Sequence, residues 1–439
     1  MARLTARDRF PGRRAVGLLL PVALLLLAGC GGEEGEGGAV RLEAWHHAGR
    51  EAERTTIREQ VARFNARHEG EIHIELTLIP EGSYNAQVQA AALAGDLPDL
   101  LEFDGPNLYQ YVWQGSLRPV GPLLPEAAKA DLLPSIREQG AFRGRLYSVG
   151  AYDSGLALYA RRGRLESIGA RVPEGPGEAW SLEEFQGVLG RLAATDPDGA
   201  VLDLHLNYEG EWFPYALAPV LWSAGGGLGT RPDPDRARGV LDSPASVAAM
   251  ERLQGWIEAG YVDPNLDDAA FTEGRVPLSW GGHWNYPRYK EAAGEDLVVL
   301  PLPDFGRGMR TAQGSWNWGI TRDCPDPEAA GQFLAFLLET DEVLAMTRAN
   351  GAVPGTRSAL ERSRLYGPDG PLRLLAEQLQ EGYAVPRPKT PAYPVISTIF
   401  QNAFDDIRHG MDVRTVLDRA AAEIDADLRA NEGYRFPEE

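Results

Sequence analysis

The 439-residue sequence predicts an α/β protein with largely parallel strands, divided into more than one lobe. Three observations carry this reading. Strand-like and helix-like stretches alternate from residue 39 to residue 104. The length exceeds what one hydrophobic core usually serves. Hydrophobic residues make up 44% and aromatics 9%, which is ample for a packed core. Intrinsic disorder, collagen and coiled coil are thereby excluded as the main state.

The first element runs Ala39-Val40-Arg41-Leu42-Glu43-Ala44-Trp45 and alternates in polarity as a strand does. Ile57, Val61 and Phe64 then fall on one face of a helix over about Glu51 to Arg67. Glu71 to Ile79 alternates again. Tyr84 to Leu93 reads as helix, stopped by Ala94-Gly95-Asp96, and Pro98 to Asp104 is a third strand running into a loop. Further on, Arg145–Gly150, Leu156–Ala160, Val276–Trp280 and Trp316–Ile320 read as short strands. Leu182–Ala194, Ser246–Ala259 and Pro327–Glu339 read as helices, and Pro301–Thr311 as loop. The last third is helical, over Ser397–Arg408 and Val413–Ala430.

Lys and Arg number 43 against 63 Asp and Glu, a formal charge of -20. So acidic a surface argues against nucleic acid, which selects a basic face. Five Arg and one Asp precede an apolar run from Ala15 to Ala28, which ends Leu27-Ala28-Gly29-Cys30. A positive start, a short apolar stretch interrupted by Pro21 and small residues at the cut site predict a signal peptide over 1–29. Leu-Ala-Gly-Cys resembles the lipobox of bacterial lipoproteins, in which the Cys becomes the acylated first residue. Residues 30–38, with Gly31 to Gly38 reading GGEEGEGG, would then be a flexible tether. The other cysteine, Cys324, sits between Asp323 and Pro325 and reads as inert.

Several segments in fixed order carry a wider resemblance. They are Gly95-Asp96-Leu97-Pro98-Asp99, Gly115-Ser116-Leu117-Arg118-Pro119, Gly144–Val149, Ala224-Gly225-Gly226, Ser279–Trp284 and Gly314–Ile320. Over about residues 39–430 the chain resembles the extracellular solute-binding proteins of ABC importers, the branch with maltose and multiple-sugar binding proteins. Tyr159-Ala160-Arg161 stands where that family usually has Tyr-Asn. The resemblance implies a two-lobed, type II periplasmic-binding-protein-like fold with an interlobe ligand cleft. Lobe one would comprise 39–152 plus 299–352, and lobe two 153–298 plus 353–439. It also implies a carbohydrate ligand, delivery to the membrane subunits of an ABC permease, a lipid-anchored extracytoplasmic location, a monomer and no cofactor.

Ten Trp are many for this length. A sugar ring has apolar C–H faces on which aromatic rings stack, and its hydroxyls are met by carboxylates and amides. Trp45, Trp280 and Trp316 lie at strand ends, the last two beside glycines that let the backbone approach a ligand. They are the leading cleft candidates, above all Trp280 and Trp316. Trp212, Trp284, Tyr84 and Tyr393 are further candidates, whereas Trp256 reads as core. Asp104, Asn107 and Asp153 are read equally as ligand contacts or as loop caps, and Arg357 as a ligand contact or a surface partner. His46 is a ligand candidate beside Trp45. His46 and His47, adjacent on a strand, are expected on opposite faces and make a poor chelate. Asp196-Pro197-Asp198-Gly199 is a turn rather than a calcium loop, since Asn207 occupies its twelfth position. No metal site is expected.

The sequence lacks a nucleophile elbow, a His-Glu-x-x-His pair and a P-loop, so no catalytic residues are assigned. Three rivals stay open: a secreted glycoside hydrolase with two carboxylates across a cleft, a binder of another polar solute such as a glycerol phosphodiester, and a structural surface lipoprotein. Cys30→Ser is expected to release the protein from the membrane fraction or leave it unprocessed. Fractionation and intact mass check this; identical behaviour of mutant and wild type contradicts it.

Overall fold

The structure, a computed structural model, describes residues 38–208, 210–230 and 236–436. The expected signal peptide, Cys30 and the tether up to residue 37 lie outside the described residues. Strand β1 (Val40–Ala48), helix α1 (Glu51–Arg67), strand β2 (Ile72–Pro80), helix α2 (Glu81–Ala94) and strand β3 (Leu100–Asp104) follow one another. β1 pairs in parallel with β2 on one side and β3 on the other. The strand Trp316–Thr321 joins antiparallel to β3, with Trp316 opposite Asp104, and Leu117–Arg118 and Ser148–Val149 pair with it in turn. All five β3 residues are buried, as a strand covered on both faces must be.

The second sheet has the order Leu202–Asp203, Leu278–Gly282, Leu156–Arg161, Leu297–Leu300. Helix Trp212–Ala224 lies almost wholly inside this half of the molecule. Its core is shared with helices Pro244–Glu258, Tyr393–Arg408 and Val413–Ala430, and Trp256 belongs to it, as its apolar neighbours imply. Two short ribbons link the halves: Tyr152–Asp153 with Val353–Pro354, and Thr311–Gln313 with Ala384–Pro386.

Two stretches pack differently from the sequence expectation. Residues 299–312 were expected with the first sheet. Instead Leu300 pairs with Leu158, and Leu302, Phe305, Met309 and Ala312 enter the core of the second. Helix Arg357–Arg362, expected with the second, packs on the first: Thr356 bridges Leu132, and Ser358 N–H donates to Asp131 at 3.1 Å. The chain end also returns to the first half. There Trp113 Nε1 donates to the Arg435 carbonyl at 3.1 Å, and the Phe436 and Phe142 rings lie 4.2 Å apart.

Trp280, one of the two leading sequence candidates for the cleft, is core. It is 1% exposed, pairs opposite Leu158 and packs with the aliphatic interior of the second sheet. The adjacent glycines serve other neighbours. A Cβ on Gly281 would meet Asn285 Nδ2 at 2.6 Å, and one on Gly282 would meet the Trp284 ring at 2.1 Å. Trp280→Ala is therefore expected to lower unfolding free energy by ~3–5 kcal/mol. Ligand affinity should be kept once corrected for the unfolded fraction; denaturant titration and calorimetry on the same sample check this.

Candidate ligand-binding cleft

Both sheets end at one cavity of about 680 Å³. β1 delivers His47 to it and β3 delivers Asp104. The loops after Asp203 and Gly282 deliver Tyr208 and Trp284. Open α/β sheets bind ligands at this place, beyond the carboxyl ends of their strands.

The second-lobe wall is a chain of edge-packed rings. Tyr208 and Trp212 lie 5.1 Å apart at 74°, Trp212 and Trp284 6.0 Å at 79°, and Tyr215 follows at 6.3 Å from Trp284. The first lobe answers with Trp316, whose ring stacks on His47 at 3.9 Å and 5°. Tyr84 braces the same indole edge-on at 5.3 Å.

The surroundings of His47 favour its charged form. Burial opposes the charge, but Glu102 outweighs it. Glu102 Oε2 accepts from His47 Nδ1 at 2.7 Å, and the His47 pKa is raised to about 9. His46, kept neutral by burial, donates from Nδ1 to the His47 carbonyl, and its Nε2 lies 3.3 Å from Glu102 Oε1. The two imidazoles were expected on opposite faces of a strand. They stack instead, 4.7 Å apart at 13°, with both rings beside the Glu102 carboxylate of the neighbouring strand. His46, His47 and Glu102 are also the group of metal-capable side chains found among the described residues, with ligand atoms within 4.8 Å of one another. Each of the three is already hydrogen-bonded within the trio.

Two arginines join the lobes. Arg387 donates from Nη1 and Nη2 to Asp104 at 2.6 and 2.7 Å, and from Nη1 to Glu211 at 2.7 Å. Its guanidinium also lies 4.9 Å over the Tyr215 ring. Burial raises the Glu211 pKa, against the pull of Arg387. Arg50, at the start of α1, donates to the Tyr208 hydroxyl at 2.7 Å and to Asp268 at 3.0 Å. Burial opposes ionisation of Asp268, but His205, Arg288 and Arg50 hold its carboxyl well below the usual range.

Of the sequence candidates, Asp104, Trp212, Trp284 and Trp316 line the cavity. The others lie elsewhere. Trp45 bonds Glu43 through Nε1 at 3.0 Å. His46 is buried on Glu102, and Tyr84 stands behind Trp316 with its hydroxyl on the Glu102 carbonyl. Asn107 is buried in the turn after β3, and Asp153 in a crossover ribbon. Arg357 is exposed at a helix start. Tyr393 is buried behind the cavity, its hydroxyl on Glu211. Sequence reasoning missed Arg50, Tyr208, Glu211, Tyr215, Asp268 and Arg387, whose partners come from distant parts of the chain.

Residues 59–366 match the family described as bacterial extracellular solute-binding protein. The chain belongs to this family. It is 26% identical over 371 residues to a Streptomyces antibioticus protein described as an uncharacterized lipoprotein in the oleD 5' region, covering 81% of this chain and 79% of that one. The GacH receptor of Streptomyces glaucescens, solved without ligand and with acarbose, superposes with a TM-score of 0.75 at 21% identity, over 90% of this chain and 100% of that one. An ABC transporter solute-binding protein from Thermotoga lettingae, bound with α-D-tagatose, gives 0.76 at 22% identity, over 89% and 100%. The solute-binding protein is thus built on the two-lobed fold of these structures.

The His47–Glu102 pair makes stability depend on pH. Its folded pKa lies above the ordinary 6.5, so its contribution is complete below that pH and is lost as pH rises through about 9. The expected size is ~3 kcal/mol. The stability gap between wild type and His47→Gln, from urea unfolding, should shrink between pH 6.5 and 9. A constant gap contradicts the assignment.

Proposed function

We propose that the protein is the substrate-binding lipoprotein of an ABC importer, which captures a carbohydrate between its lobes and passes it to the membrane permease. The observation that carries this is the cavity wall: partly exposed indoles face it from both lobes, Trp316 from one and Trp284 from the other. Flat apolar rings flanked by arginines and carboxylates match a solute with C–H faces and a rim of hydroxyls. Acarbose and tagatose in the two similar structures are solutes of that kind. On this reading the protein is a monomer anchored outside the cytoplasm through Cys30. Lobe one is 39–152 with 314–352 and the helix Arg357–Arg362; lobe two is the remainder of 153–436. Arg50 and Arg387 bridge the lobes as the cleft closes.

The reading assigns no chemistry to the cleft. Ser279 Oγ does approach His205 Nε2 at 3.2 Å, and His205 Nδ1 approaches Asp268 at 3.2 Å. The arrangement has the order of a Ser-His-Asp triad. Yet Ser279 is completely buried and shares its hydroxyl with Tyr289 at 2.8 Å, so no substrate carbonyl reaches it.

Calorimetry against a panel of neutral oligosaccharides tests the proposal. Binding without turnover is expected. Trp316→Ala and Trp284→Ala should each cost more than ~2 kcal/mol, roughly thirty-fold in affinity once corrected for any unfolded fraction. Sustained hydrolysis of a bound sugar, or no binding by any saccharide, neutral or amino, overturns it.

A further inference from the structure

The first-lobe side of the cavity is short of cations. Glu102, Glu53 and Glu81 all act on the one charged imidazole of His47. The nearby arginines are engaged elsewhere: Arg50 with Asp268 and Tyr208, Arg54 with Glu51 and the Gly49 carbonyl. Glu53 accepts only from the Arg50 backbone N–H and from Asn350 Nδ2, each at 3.0 Å. Glu81 makes no hydrogen bond or ion pair in the described structure. It is exposed to the cleft, and desolvation, with Glu53 and Asp104, raises its pKa against the pull of His47 and Arg50.

A carboxylate in the first turn of a helix is expected on helix-dipole grounds alone. That does not account for its neighbours. Asn85, one turn further along α2, also lines the cavity, and its Oδ1 is buried without a donor. Tyr152 lines the cavity at 4% exposure with a buried, unpartnered hydroxyl. Glu81 thus offers two carboxylate oxygens without a donor, beside an amide oxygen and a hydroxyl that are buried and unpartnered. A neutral sugar hydroxyl brings one donor and its own lone pairs. An ammonium brings three donors and no acceptor, and aromatic faces such as Trp316 attract it.

We propose that the solute carries a basic nitrogen, a protonated amine on a saccharide frame, seated against Glu81, Glu53 and Asn85. The inference rests on the saccharide reading above and narrows it.

The test compares matched pairs by calorimetry at neutral pH: glucose with glucosamine, galactose with galactosamine, mannose with mannosamine, and cellobiose with its fully de-acetylated diamino counterpart. In each pair that binds, the amine should bind about tenfold tighter or more, as a charge-assisted hydrogen bond requires. Glu81→Gln should bring that ratio toward one, and circular dichroism confirms that the variant is folded. A neutral member that binds as well as its amine, a ratio unmoved by Glu81→Gln, or no binding by any amine overturns the inference. If neutral oligosaccharides still bind in that event, the saccharide reading stands; if no sugar binds at all, both fall.

Discussion

Arg387, a residue only 3% exposed, holds Asp104 of the first lobe and Glu211 of the second on one guanidinium. A charge so far from water is tolerable only while both carboxylates stay in place. Breaking such a buried set by removing one partner typically costs ~3–5 kcal/mol. The surroundings are arranged for it. Asp104 is delivered by the end of a fully buried strand, and Tyr393 and Ser397 complete the shell of Glu211. Gly314 leaves room for it as well: its φ is +118°, and a Cβ there would come within 3.0 Å of Arg387 Nη2. Gly314, two residues before Trp316, thus makes room for the arginine as well as lining the cavity.

The second organising charge is His47, and it reaches the cavity wall through an aromatic ring. Glu102 fixes the imidazole, the imidazole carries Trp316, and Tyr84 braces the same indole from its edge. Three sequence-distant residues thereby set the position of one ring. Packing of this density tolerates few rotamers, so the Trp316 ring is held in one orientation.

Local pattern made the early strands and the late helices legible. The β1–α1–β2–α2–β3 run, helix Pro327–Leu337 and helix Val413–Ala430 all lie where periodicity placed them to within a few residues. The cavity was half legible. Trp284 and Trp316 stood out as aromatics at strand ends. Trp280 stood out for the same reason and is core, because alternation along Leu278–Gly282 turns it onto the aliphatic face, and the two glycines accommodate Asn285 and Trp284. Arg387 gave no local signal. Its partners are 283 and 176 residues away, and Pro386-Arg387-Pro388 reads as any surface loop. The crossover at 299–312 was hidden likewise, since a loop without periodicity does not declare which core it enters.

The stacking of His47 on Trp316 makes the indole a one-sided surface. With one face occupied at 3.9 Å, only the opposite face is left for a solute. The two sides of a pyranose differ in which axial hydrogens and hydroxyls they show. On the carbohydrate reading proposed above, such a platform meets one side of the ring at a time, and epimers that differ at one carbon, equal in size and in number of hydroxyls, would be unequal partners for it.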